Sequence, residues 1–256
     1  MKAWAGVGEA YAASYAELCA GTTDAIASTL GEPHGRRVLD VGSGTGDLAA
    51  SLAARGWSVI GCEPEPTMRA VAARAHSSLA VVDGALPTLP FGDAEFDAVT
   101  ANFVLNHVSD PRVAARELAR VAAPAAALVA TIWVQSPSWF WAAVCDRAGL
   151  IPRPGARLDA DKEFERTPEG FAAMLSEGGW IAPEVSALNW VWHAAPAALW
   201  ASAEGGVASA GAFFLSLSGT DRSRFRNSFE QLCAEHDSDG FVALEHTAAL
   251  AVGRAD

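Results

Sequence analysis

The chain has 256 residues, of which 51% are hydrophobic and 19% charged, and its 30 acidic against 18 basic residues give a formal net charge of −12. That length and apolar content fit one α/β domain with insertions and exclude a disordered chain. The only lysines are Lys2 and Lys162; neither stands in a glycine-rich loop, which excludes a P-loop nucleotide hydrolase and leaves no obvious Schiff-base lysine. So acidic and lysine-poor a chain is badly suited to phosphate backbones or anionic membranes, and neither nucleic acid nor membrane is expected as a partner. The cysteines Cys19, Cys62, Cys145 and Cys233 form no C-x-x-C pair, which suits a reducing cytoplasm better than a zinc site or a disulfide framework. The N-terminus has no continuous apolar run of the kind a signal peptide carries. The longest apolar run, Val121 to Val134, contains Pro124 and is too short to cross a bilayer; it reads as a helix end leading into a buried strand. A soluble cytoplasmic protein is expected, without a metal; its oligomeric state is left open.

The first half alternates strand and helix. Arg37 to Gly42 is a short apolar run stopped by glycine, as a buried strand is, and Asp47 to Arg55 reads as a helix closed by Gly56. Trp57 to Cys62 is the next strand, Pro64 to Ala75 a helix with proline near its start, Leu79 to Val82 a third strand and Phe96 to Ala101 a fourth. Asp110-Pro111 opens a helix to about Ala122, because Asp caps and Pro suits the first turn, and Ala126 to Val134 makes a fifth strand. This alternation predicts a parallel sheet covered on both faces. Residues 135–183 then read as helical stretches punctuated by Pro137, Pro152, Pro154 and Pro168. Glu184 to His193 alternates like a strand, Pro196 to Leu217 and Asp221 to Ala234 read as helices, and Phe241 to Val252 as a final strand.

The informative turn is Val38-Leu-Asp-Val-Gly-Ser-Gly-Thr-Gly46, with glycines at 42, 44 and 46 between a strand and a helix. Glycines there let the backbone approach a ligand closely. The dinucleotide fingerprint would need glycine at 47, which is Asp47. Asp40 would repel a pyrophosphate but suits a cationic group such as an α-ammonium. Glu63 ends the second strand at the spacing of a carboxylate that grips ribose hydroxyls. The pattern therefore calls for a nucleoside with a cationic, amino-acid-like tail.

Over about residues 10–134 these motifs resemble the class I S-adenosylmethionine-dependent methyltransferases. The resemblance implies an α/β, Rossmann-like, mostly parallel seven-stranded sheet with helical cap insertions, and S-adenosylmethionine as cofactor. It places Gly42, Gly44 and Gly46 under the methionine portion and Glu63 on the ribose, in Cys62-Glu63-Pro64. Met68 falls where the family packs a residue under the adenine. Asp83-Gly84-Ala85, followed by Leu89-Pro90-Phe91, resembles the third-strand motif that meets the adenine amino group and ring. The stretch Ala101-Asn102 to Asp110-Pro111 resembles the motif beside the methyl donor. Arg120-Val-Ala-Ala-Pro124 resembles a family turn whose two following glycines are here Ala125 and Ala126, which implies a changed turn. A lid helix is implied over Trp4 to Thr23, with Tyr11 and Tyr15, spaced i and i+4, on one face and Tyr15 near the cofactor. The whole chain is then one domain: lid helices over 1–35, cofactor-binding core over 36–134, helical cap insertions over 135–240 with one strand near 184–194, and the final strand over 241–256.

His107 stands just past the fourth strand, where open α/β sheets place ligands, and is the candidate general base, expected to titrate near 6.5. Seven of the nine tryptophans lie from Trp133 onward. Most are expected to hold the insertions to the sheet, but Trp133, Trp139 and Trp141, with Tyr11 and Asn106, are candidates to line an acceptor pocket. That composition points to a small, apolar or aromatic acceptor, and with the resemblance it implies methyl transfer to such a molecule in specialised, natural-product metabolism; a protonated or quaternary amine is the other acceptor such a pocket admits. The alternatives are a repurposed methyltransferase fold, such as a cyclase or a cofactor-binding module, and a nicotinamide-dependent oxidoreductase. Cofactor motifs alone do not separate the first of these.

Overall fold

The computed structural model describes residues 4–135, 138–152 and 158–256; Lys2 and the punctuating Pro137 and Pro154 lie outside them. Three short helices open the chain: α1 (Gly8–Ala12), α2 (Tyr15–Ala20) and α3 (Thr23–Leu30). The core follows as β1 (Arg37–Val41), α4 (Asp47–Ala54), β2 (Ser58–Cys62), α5 (Pro66–Ala75), β3 (Ala80–Val82), β4 (Phe96–Asn102), α6 (Pro111–Val121) and β5 (Ala122–Gln135). The remainder is α7 (Ser138–Ala148), α8 (Pro168–Glu177), β6 (Ile181–Ala194), α9 (Pro196–Glu204), α10 (Ala208–Ser216), α11 (Gly219–Glu235), β7 (Asp237–Ser238) and β8 (Phe241–Arg254).

The sheet runs β3-β2-β1-β4-β5-β8-β6, with the two-residue β7 pairing β8 off this path. The seven expected strands are thus joined by one hairpin arm. β1 to β5 pair in parallel and β8 lies antiparallel to both β5 and β6. β1 earns its central place by composition: Val38, Leu39 and Val41 are all buried, as a strand covered on both faces requires. α6 starts where Asp110 accepts the Val113 N–H at 3.1 Å, with proline at the first turn. Strand order reverses beside β1, whose neighbours are β2 and β4. Open α/β sheets hold ligands at the carboxyl ends of the strands at such a switch point.

Two expectations need correction. The single lid helix is broken at Ser14 (φ −140°), whose hydroxyl donates back to the Ala10 carbonyl at 2.6 Å, so Tyr11 and Tyr15 sit on different helices. The helix over 196–217 is interrupted at Gly205-Gly206, where Gly206 has φ +77° and a Cβ on Gly205 would meet Ala10. Within β5, Ala125 is left-handed at φ +61°, and its N–H donates to the Ala255 carbonyl.

The cap insertions pack through their own aromatic cluster, in which Phe140, Trp141, Trp192, Phe225 and Phe229 are buried together. The Trp141 ring stacks on Phe225 and Phe229 at 5.8 Å each. Among the described residues no helix is long and apolar enough to cross a membrane.

Candidate active site

A cavity of about 540 Å³ opens at the switch point and runs from the glycine-rich turn to the aromatic cap. At one end stand Gly42, Gly44, Glu63, Pro64 and Met68, with the Gly84-Ala85 turn beside them. At the other stand Phe103, Trp133, Trp141 and Phe213, and His107 and Asn102 also line the space. The lid helices supply Tyr11 and Tyr15 to its wall.

The turn after β1 is built for close approach. Gly44 has φ +54°, and its N–H donates to Glu63 Oε2 at 2.9 Å. The Glu65 N–H donates to Glu63 Oε1 at 2.9 Å, so each carboxylate oxygen keeps a lone pair for a ligand hydroxyl. Burial raises the Glu63 pKa against these two backbone donors. Asp40 is 1% exposed; Thr100 donates to its Oδ1 at 2.8 Å, and its Oδ2 is buried without a partner. Burial, opposed by the Thr100 hydrogen bond, pushes the Asp40 carboxyl up to about 7. A second, smaller cavity joins Asp40 to the same turn and to Asn102. An orphaned carboxylate oxygen there, with a glycine cradle and a ribose-spaced carboxylate beyond, fits a nucleoside bearing a cationic tail.

Other expected cofactor residues are placed differently. Gly46 (φ +86°) does not line the main cavity; a Cβ there would press on Leu79, His76 and Ala72, so it seats α4 against the neighbouring helix. The Asp83 carboxylate is largely exposed and paired with Arg69 at 3.1 Å and does not line the cavity, whereas Gly84, Ala85 and Leu86 do. Asn102 accepts from Thr22 Oγ1 at 2.9 Å and from Thr131 Oγ1 at 2.6 Å.

His107 lines the cavity and is exposed, and the Trp4 ring packs edge-on against it at 5.0 Å. Burial lowers its pKa from 6.5 to about 4. An imidazole with that pKa is neutral near pH 7.

At the aromatic end, Trp133 lies flat on Phe103 at 3.8 Å, and Trp141 donates its indole N–H to the Tyr15 hydroxyl at 3.1 Å. Asn106 stays outside the cavity; its Oδ1 accepts the Trp133 N–H at 3.0 Å. Trp139 is also outside, 42% exposed and edge-on to His236, because it points away from the α7 face that carries Trp141. Sequence reasoning missed Trp4, Cys19 and Phe103 on the wall. Phe103 lay inside the recognised motif, and its signal was an aromatic residue at the end of a buried strand.

Fold, turn and cavity together define a nucleoside-cofactor enzyme. A family model described as a methyltransferase domain matches residues 39–130. The demethylmenaquinone methyltransferase of Beutenbergia cavernae is 34% identical over 171 residues, which cover 61% of this chain and 70% of that protein. The ubiquinone/menaquinone biosynthesis C-methyltransferase UbiE of Rubrivivax gelatinosus is 32% identical over 158 residues, 57% of this chain and 62% of that one. Across the first four such relatives the alignments span from 44% to 70% of the relatives' own lengths. Among solved structures, YcgJ from Bacillus subtilis superposes with a TM-score of 0.59 at 19% identity, over 91% of this chain and 97% of that one. The phosphoethanolamine N-methyltransferase 2 of Haemonchus contortus, in complex with S-adenosylhomocysteine, does so at 0.54 and 18% identity, over 91% and 52%. The chain belongs to the class I S-adenosylmethionine-dependent methyltransferases, and S-adenosylmethionine is its cofactor.

Proposed function

We propose that the chain methylates a small, ring-bearing, largely apolar acceptor held between the sheet and the aromatic cap. The observation that carries this reading is the continuity of one cavity from Glu63 and Gly44 to Phe103, Trp133 and Trp141. Flat aromatic side chains give large contact area with few rotatable bonds, and parallel rings favour a planar guest. The likeness to a demethylmenaquinone methyltransferase and to a ubiquinone/menaquinone biosynthesis C-methyltransferase supports a planar ring of that kind.

When bound, the cofactor supplies an already activated methyl group. The work left to the protein is to hold two partners in line and keep water out. In this reading Glu63 accepts the ribose hydroxyls, Asp40 meets the cationic tail, and Pro64, Met68 and the Gly84-Ala85 backbone enclose the base. Tyr15 and Asn102 border the junction of the two ends. His107, neutral through the physiological range, offers an imidazole nitrogen to a proton leaving the acceptor.

S-adenosylhomocysteine release against a panel of naphthols, hydroquinones and aromatic amines tests the reading; turnover of a planar hydroxyl-bearing member is expected. Cofactor binding with no turnover across the panel contradicts it and favours a repurposed fold. Glu63→Ala leaves ribose hydroxyls unpaired, at about 1–3 kcal/mol, so affinity for S-adenosylmethionine falls roughly 5- to 150-fold. A folded variant that binds as tightly as the parent overturns the ribose assignment.

A further inference from the structure

We infer that Thr131, which does not touch the cavity, is a positioning residue that fixes the acceptor wall. Thr131 sits on β5, fully buried and paired in register with Asn102 on β4. Its hydroxyl is committed twice. It donates to Asn102 Oδ1 at 2.6 Å, and it accepts the Phe103 N–H at 2.9 Å. The second bond falls where β4 ends. The ladder with β5 stops at Asn102, and a side-chain oxygen takes the next backbone donor in place of a strand carbonyl.

The consequence is conformational. Phe103 has φ +56°, a left-handed backbone that costs an aromatic residue about 1–2 kcal/mol and persists only where its surroundings enforce it. The Thr131 hydroxyl is the group that holds it. With the backbone turned this way, the Phe103 ring lies against Trp133 at 3.8 Å and 7° between planes. Trp133 is two residues beyond Thr131, and so on the same face of β5. One hydroxyl therefore sets the amide at the junction of the two cavity ends and the ring stack that walls the acceptor end. The inference about the wall rests on the aromatic-acceptor reading; the inference about the turn does not.

The test uses Thr131→Val, which keeps shape and loses the hydroxyl, and Thr131→Ser, which keeps it. Amide hydrogen exchange is read over residues 101–108, and binding of 1-naphthol and of S-adenosylhomocysteine is titrated by tryptophan fluorescence and calorimetry. In the valine variant exchange in that segment speeds by tenfold or more while distant strands stay at parental rates, and 1-naphthol binds about tenfold more weakly. Affinity for S-adenosylhomocysteine changes less than threefold, because Thr131 does not touch the cavity. The serine variant stays parental in all three readouts, which a purely volumetric role of Thr131 does not allow. Should the valine variant fail to fold, Thr131→Cys reads the same difference through a weak thiol donor. Unchanged exchange in the hydroxyl-less variant, or a serine variant equally impaired, overturns the inference. A parent protein that does not bind 1-naphthol contradicts the aromatic-acceptor reading instead, while the exchange comparison still decides Thr131.

Discussion

At the scale of single residues, the site is governed by what burial does to charge. An imidazole serves as a base only when deprotonated, and His107 with a pKa of about 4 meets that condition at all pH values well above it. The acid limb of kcat/KM attributable to His107 is therefore expected near pH 4, activity falling as pH drops through it; a limb near 6.5 would mean that the ring is solvated. His107→Gln lowers kcat about 10²–10⁴-fold if the acceptor must lose a proton, and near-parental turnover assigns the ring to orientation alone. Asp40 carries the opposite shift. Its carboxyl, raised to about 7 by burial, is partly protonated at neutral pH, and a cation brought to the free Oδ2 favours the ionised form. Binding of S-adenosylmethionine at pH 7 should release a fraction of a proton, seen calorimetrically as a dependence of heat on buffer ionisation enthalpy. Asp40→Asn should abolish that dependence, and a parent that shows none contradicts the placement.

At the scale of elements, glycine-stopped apolar runs and Asp-Pro caps made β1 to β5 and their helices legible, because the parallel core is specified by local composition and short spacing. Breaks were harder to read. The interruption at Ser14 comes from a hydroxyl turned onto a carbonyl four residues back, and the one at Gly205 from contact with Ala10 across the fold. Neither partner is visible in the local pattern. Ala125 shows the converse, a glycine conformation enforced on alanine by the fold. Relief of a left-handed alanine gains about 1–2 kcal/mol, and the added freedom of the unfolded glycine chain returns about 0.4–1. Ala125→Gly should therefore stabilise the protein by roughly 0.5–1 kcal/mol in denaturant titrations. A loss of stability would show that the turn tolerates alanine without strain.

At the scale of the whole molecule, the aromatic cluster of the later helices was readable from the tryptophan asymmetry, but the role of each ring was not. Period and composition do not say which face of α7 meets the cavity, so Trp139 and Trp141 read alike in the sequence. In the structure Trp141 is buried on the cavity wall and bonded to Tyr15, while Trp139 leans on His236 at the surface. Trp141→Ala is expected to cost about 3–5 kcal/mol and to weaken acceptor binding. Trp139→Ala should cost about 1 kcal/mol or less and leave acceptor KM unchanged; thermal unfolding and steady-state kinetics on the two variants separate them. The carboxylates at the strand ends were legible for a different reason: Asp40, Glu63 and Asp83 are fixed by strand length. Only the fold shows that Asp83 turns outward to Arg69.

In the proposed function one cavity holds the cofactor at its Glu63 end and keeps its aromatic end for the acceptor. A crystal structure of the protein with S-adenosylhomocysteine tests it most directly. The ribose is predicted against Glu63 and the amino-acid tail toward Asp40, with the part of the cavity lined by Phe103, Trp133 and Trp141 left clear. Adenine or tail lodged among those rings, or a ribose away from Glu63, would contradict the account.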